Sequence, residues 1–172
     1  MGIRQGFIID LPVDIRRPLT AAAERGFDFV ELNMEAHFSR QSIDPERIKK
    51  AALEAELNIV VHLPYKLDIG SPHNHARAGA CRELESYLDI ANTLGAETAV
   101  VHADSAAQPK HWNRSTVVTA LYESIQRLHK YGVQRGLTVC AENLNGPFVD
   151  VSDAPELMAR TDASLCLDTG HS

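Results

Sequence analysis

The sequence predicts an α/β fold built on a parallel sheet. Two observations predict it. Short apolar runs alternate strictly with longer stretches of helical pattern, and several of the runs are almost continuously apolar, as in strands covered on both faces. With 172 residues, 44% of them apolar and 23% charged, the chain has the composition of one globular domain spanning residues 1–172, without linker or low-complexity segment.

The first apolar run covers residues 6–11 and leads to a helix near residues 17–25, stopped by Gly26. The second run covers residues 27–33. Asp44-Pro45-Glu46 then reads as an N-cap followed by proline in the first helical turn, with Ile48, Ala52 and Ala55 as an apolar stripe. After the third run, 58–63, a helix over 74–94 carries Leu84, Tyr87, Leu88, Ala91 and Leu94 on one face, with Gly95 as its stop. The fourth run, 98–103, precedes a helix over 115–131 bearing Val118, Leu121, Ile125 and Leu128, with Gly132 expected as its end. The fifth run is 137–144. Asp153-Ala-Pro-Glu156 has capping-box spacing, and the sixth run is 164–168.

Several function classes fall away. No window holds 18 consecutive apolar residues, so no transmembrane helix is expected, and the apolar patch at residues 7–9 is broken by Asp10, unlike a secretory leader. Seventeen basic against 23 acidic residues give a net charge of −6, which lacks the basic footprint of a nucleic-acid binder, so nucleic acid is not the expected partner. Cys81, Cys140 and Cys166 are odd in number and widely spaced, with no CxxC. They read as reduced thiols of a cytoplasmic protein, with Cys140 and Cys166 packed in apolar strands.

Two architectures fit the alternation, an open doubly wound sheet and a (β/α)₈ barrel. No GxGxxG or GxxxxGK[ST] loop follows the first strand, which weakens the common nucleotide-binding forms of the open sheet. A full barrel takes about 250 residues. Five complete units and a strand ending Leu167-Asp-Thr-Gly-His-Ser172 fit a barrel truncated after its sixth strand, about five and a half units. Its open sheet edges would be covered by self-association into a homo-oligomer.

The chemistry lies at the strand ends. The third run ends at His62, the fourth at His102, the fifth at Glu142-Asn143 and the sixth at Asp168-Thr-Gly-His171, at intervals of 40, 40 and 26 residues, each about one βα unit. In a parallel barrel these ends meet at one mouth. One such histidine alone is ordinarily a hydrogen-bonded rim residue, and one such carboxylate a helix cap. Four consecutive strand ends with ligand-type side chains point to a divalent cation, which supplies the partner that charges ending apolar strands need.

On Glu142-Asn143 and Asp168-Thr-x-His171, the sequence resembles the xylose isomerase-like TIM-barrel superfamily, over nearly its whole length. That superfamily contains sugar and sugar-phosphate isomerases and epimerases, together with endonuclease IV-type (family 2) AP endonucleases. The resemblance implies a (β/α)₈ fold and a metal set of His62, His102, Glu142, Asp168 and His171, with His171 a zinc ligand in the nuclease branch and a substrate contact in many isomerases; Glu142 and His171 are the expected catalytic residues. It implies Mn²⁺ or Zn²⁺ as cofactor, with Mg²⁺ or Co²⁺ as alternatives. His62, His102 and the stretch Tyr65–Pro72 resemble the nuclease branch. Leu144-Asn-Gly-Pro-Phe148 departs from that branch's small glycine-rich loop.

Substrate contacts are expected from Glu31, Lys66, Trp112 and Asn143. Lys66 could hold a phosphate as a point charge, and Trp112 could stack on a sugar or base, with packing at a helix start as its plainer role. His73 and His75 read as a solvated loop rather than a second metal clamp. The expected activity is isomerisation or epimerisation of a small sugar or sugar phosphate, by proton transfer through a metal-stabilised enediolate. The alternatives are a zinc-dependent AP endonuclease, or a barrel fragment without activity of its own.

Overall fold

The computed structural model describes residues 2–10, 14–35, 43–146 and 149–171. Leu11 at the expected end of the first strand, Pro147-Phe148 in the loop after the fifth, and Ser172 lie outside the described residues.

Six strands form one parallel sheet: β1 (Gly6–Asp10), β2 (Phe29–Asn33), β3 (Asn58–His62), β4 (Thr98–His102), β5 (Thr138–Glu142) and β6 (Ser164–Cys166). The helices between them are α1 (Arg16–Glu24), α2 (Pro45–Glu54), α3 (Asn74–Leu94), α4 (Arg114–Val133) and α5 (Ala154–Arg160). Each strand lies beside its predecessor, in the order β1 to β6. A doubly wound sheet instead reverses its winding at a switch point. Right-handed crossovers between consecutive neighbours put every helix on one side of the sheet, and α1 packs on α2, α2 on α3 and α3 on α4. This is barrel winding, and it disposes of the open-sheet alternative.

Local chemistry sets the helix ends. Asp44 accepts the Arg47 N–H at 3.1 Å, as its sequence predicts, and Asn113 accepts the Thr116 N–H at 2.9 Å to start α4. Gly95 ends α3 with φ +75°. Two ends differ from the sequence expectation. Gly132 does not stop α4, which runs on to Val133; a Cβ at Gly132 would lie 2.6 Å from a methyl group of Val139, so this glycine allows close approach of α4 to β5. The capping box sits earlier than Asp153-x-x-Glu156: Asp150 accepts the Ser152 N–H at 2.7 Å, and Asp153 returns to the Asp150 N–H at 3.0 Å across a 3₁₀ turn that leads into α5.

Side chains alternate across the strands. Leu32, Val61, Val101 and Val139 turn toward the helices and meet Leu19, Leu88, Leu121 and Ile125 in one core. The other set (Glu31, Val60, His62, His102, Cys140, Glu142) turns to the concave inner face. Register staggers the rim: His62 is level with Val100, His102 with Glu142, and Glu142 with Cys166, as strand tilt in a barrel requires.

Candidate metal centre

His62, His102 and Glu142 are the last residues of β3, β4 and β5, and Asp168 and His171 follow β6. Glu142 is the hub. Its Oε2 lies 3.1 Å from His62 Nε2 and 3.3 Å from His102 Nε2. Its Oε1 lies 3.6 Å from His171 Nδ1, which is itself 3.3 Å from Asp168 Oδ2. Donor atoms of His62, His102 and Glu142 fall within 4.8 Å of one another, and so do those of Glu142, Asp168 and His171. Two cation-sized groups therefore share one carboxylate.

The protons of this cluster bear on whether a cation fits. His62 Nδ1 lies 3.0 Å from the Leu63 carbonyl oxygen while Nε2 faces Glu142, so both ring nitrogens face acceptors. A neutral imidazole has one N–H. Either His62 is an imidazolium, or its Nε2 lone pair serves a cation beside the carboxylate. Burial by itself lowers the His62 pKa, but the hydrogen bond and charge of Glu142, with the charge of Glu31, outweigh it and raise the pKa. Burial works against the charged form of Glu142, yet hydrogen bonds and charge from His102 and His62 hold its carboxyl well below the usual range. His171 Nδ1 is buried and, among the described residues, makes no hydrogen bond, although two carboxylates flank it. Three imidazole nitrogens, one of them buried and orphaned, and two carboxylates suit a divalent transition metal.

Neighbouring groups hold these side chains in place. Asn143 is buried, and its amide donates to the Asp168 carbonyl at 3.0 Å and accepts the Asp168 N–H at 2.7 Å. It thus fixes the end of β6, where substrate contact was expected of it. Tyr65 stacks on His102 with ring centroids 5.2 Å apart and meets His62 edge-on at 6.1 Å. Glu35 accepts the Lys66 N–H at 3.1 Å, which anchors the loop carrying Tyr65.

The remaining expected residues separate. Glu31 lies on the inner wall, level with Val60, and feels the charges of His62, Glu142 and Asp168. Burial, then those carboxylates, raise its pKa despite the opposing charge of His62. Lys66 lines a cleft of about 540 Å³ with Tyr65, His102, Asp104, Gln108 and His171. Trp112 is not in that lining; it packs at the core's edge, T-shaped against His73 at 5.6 Å. Among the described residues His73 and His75 join no ligand group. Cys140 and Cys166 are half-buried on the inner face rather than sealed in the core, and burial pushes the Cys166 thiol up to about 12. Tyr65 and Asp104 were not singled out from sequence; their signal was position, two or three residues past a strand-end histidine.

Known proteins match this fold and sequence. The sequence pattern of xylose isomerase-like TIM barrels matches residues 19–172. A probable endonuclease 4 from Mycobacterium marinum (strain ATCC BAA-535 / M) is 26% identical over 95% of this chain and 65% of its own length. One from Mycobacterium bovis (strain BCG / Pasteur 1173P2) is 25% identical over 90% of this chain and 61% of its own. D-psicose 3-epimerase from Clostridium cellulolyticum H10 superposes with TM-score 0.82 at 17% identity, covering 98% of this chain and 64% of that one. Endonuclease IV from Thermus thermophilus gives 0.71 at 20% identity, over 98% and 64%. The chain thus spans less than two thirds of the length of the relatives it matches. Six neighbouring parallel strands, singly wound, agree with a pattern matched over most of the chain: the chain belongs to the xylose isomerase-like TIM-barrel family.

Proposed function

We propose that this chain carries the cation-binding part of a divalent-metal-dependent isomerase or epimerase of a small sugar or sugar phosphate. The observation that supports it best is the convergence of three imidazole nitrogens on the two oxygens of one buried carboxylate, beside a polar cleft. His62, His102, Glu142, Asp168 and His171 would hold Zn²⁺ or Mn²⁺. When bound, the cation supplies Lewis-acid polarisation of adjacent carbonyl and hydroxyl oxygens.

Proton transfer needs a group with a pKa near the working pH. Glu142, expected from sequence to carry the proton, has its pKa pushed down and both oxygens turned to imidazoles, so ligation suits it better. Glu31 has its pKa pushed up on the adjacent wall. Two carboxyls whose environments drive their pKa values apart divide into ligand and proton carrier. In this reading Glu31 takes and returns the proton, and His171 faces the substrate from the cleft.

A second reading, a zinc-dependent AP endonuclease, is favoured by the curated relatives and by the strand-end histidines His62 and His102 in one of the two cation groups. The cation supply argues the other way. Among the described residues, Arg77 pairs with Glu123 at 3.5 Å and Arg114 with Asp153, Lys110 lies outside the cleft lining, and Lys66 is the lysine that lines it. The deciding experiment incubates the Mn²⁺-loaded protein with ketoses and ketose phosphates in D₂O. Deuterium should enter beside the carbonyl, and the signal should vanish with EDTA and with Glu31→Gln. Metal-dependent nicking of an abasic duplex without any exchange would establish the second reading instead.

A further inference from the structure

We propose that Asp104 sets substrate charge selectivity in the cleft beside the cation centre, favouring an uncharged polyhydroxy chain over a phosphorylated one. The inference rests on the sugar reading above and narrows it.

The cleft runs from His102 and His171 along the loops that follow β3 and β4. A second lobe of about 220 Å³ shares Tyr65, Lys66, His102, Asp104 and Ser105 with the larger one, so Asp104 borders both. Asp104 is exposed at the cleft wall. Asp104 Oδ1 accepts the Ser105 N–H at 2.7 Å, and Ser105 is buried. The loop after β5 comes close behind it: a Cβ at Gly146 would lie 3.4 Å from Asp104 Oδ1 and 3.2 Å from the Val149 carbonyl oxygen. Among the described residues no hydrogen bond takes Oδ2. A carboxylate oxygen with free acceptor sites at a cleft wall can receive hydroxyl protons.

The charges on the walls agree. Among the described residues, the two lobes present one ammonium, Lys66, against the carboxylates of Asp68 and Asp104. Lys66 Nζ sits 4.9 Å from the centroid of the Tyr65 ring, so part of its field is directed onto that face. Phosphate sites gather guanidinium forks, several ammonium groups or helix N-termini, and a lone lysine opposed by carboxylates does not supply this. A carboxylate facing the substrate discriminates by repelling the charged competitor as well as by binding the neutral one.

The test is calorimetry on the Mn²⁺-loaded chain with D-fructose and D-fructose 6-phosphate as probes, for the native protein, Asp104→Asn and Asp104→Glu. The native protein should prefer the neutral ketose by about tenfold or more. Asp104→Asn keeps an oxygen for the Ser105 N–H and removes the charge, so the preference should shrink at least about fivefold, while Asp104→Glu should restore most of it. A native preference for the phosphate, or a ratio unchanged in Asp104→Asn, overturns the assignment to Asp104. Binding of neither probe while Mn²⁺ binds overturns the sugar reading, and this inference with it.

Discussion

Val61 and Val60 are neighbours on β3 and face opposite worlds. Val61 points to the helix layer and is 0% exposed, whereas Val60 points to the concave face and is half-exposed. The same contrast runs through the sheet: Val30, Leu32, Ala99 and Val139 are sealed on the helix side, while Glu31, Cys140 and Cys166 look inward. Stability comes from one face and ligand chemistry from the other. Because a strand's side-chain period is two, a slip of one residue would exchange the two roles. The inner face turns polar at the C-terminal rim, where His62, His102 and Glu142 each follow an apolar partner two residues earlier.

The first way to break the contrast is Leu32→Ala on the helix side. It should cost about 2–5 kcal/mol in denaturant unfolding, because the cavity would be enclosed by packed side chains. A loss below about 1 kcal/mol would mean that the helix layer is not the source of stability. Asn143→Ala comes next. It strips the Asp168 N–H and carbonyl of their partners and should cost about 1–3 kcal/mol. It should also weaken cation binding, since Asp168 and His171 lose their anchor. Unchanged affinity would separate the end of β6 from the centre.

The third prediction concerns protons at the rim. The raised pKa of His62 means that its pairing with Glu142 stabilises the metal-free chain fully below 6.5, and that this contribution is lost as pH climbs through the raised value. The lowered pKa of Glu142 gives the opposite sign at the acid end: its contribution is present above 4.5 and is lost as pH falls. A cation must displace the proton from His62, so cation affinity should rise with pH, by up to about tenfold per unit until that pKa is passed. Competition with a chelating dye from pH 6 to 8.5 reads this directly; a flat profile would remove His62 from the centre. The smallest effect sharpens the contrast most finely. Val61→Thr buries a hydroxyl and should cost about 1–3 kcal/mol, whereas Val60→Thr should stay within about 0.5 kcal/mol. Equal losses would deny the two faces their separate roles.

Much of this could be read from the chain. Alternation and capping chemistry located all six strands and the helix ends at Asp44 and Gly95, because these signals are local. The strand-end series picked out His62, His102, Glu142, Asp168 and His171, and barrel winding brings these side chains together. Gly132 misled, since its reason is a close approach to Val139 rather than a helix stop. The tasks of Asn143 and Tyr65 were hidden for the same reason: each is set by a partner at least 25 residues away, Asp168 and His102 in turn. Periodicity reports which face a side chain takes. It does not report which distant group meets it there.

The central claim is that Glu142 joins three imidazoles and Asp168 into a seat for a divalent cation. Calorimetric titration of the metal-stripped chain with Zn²⁺, native against Glu142→Gln, tests it most directly. Tight binding by the native chain, weakened by about a hundredfold or more in Glu142→Gln, is the predicted result. Equal affinity in the two proteins, or no Zn²⁺ binding by the native chain at pH 8, would contradict it.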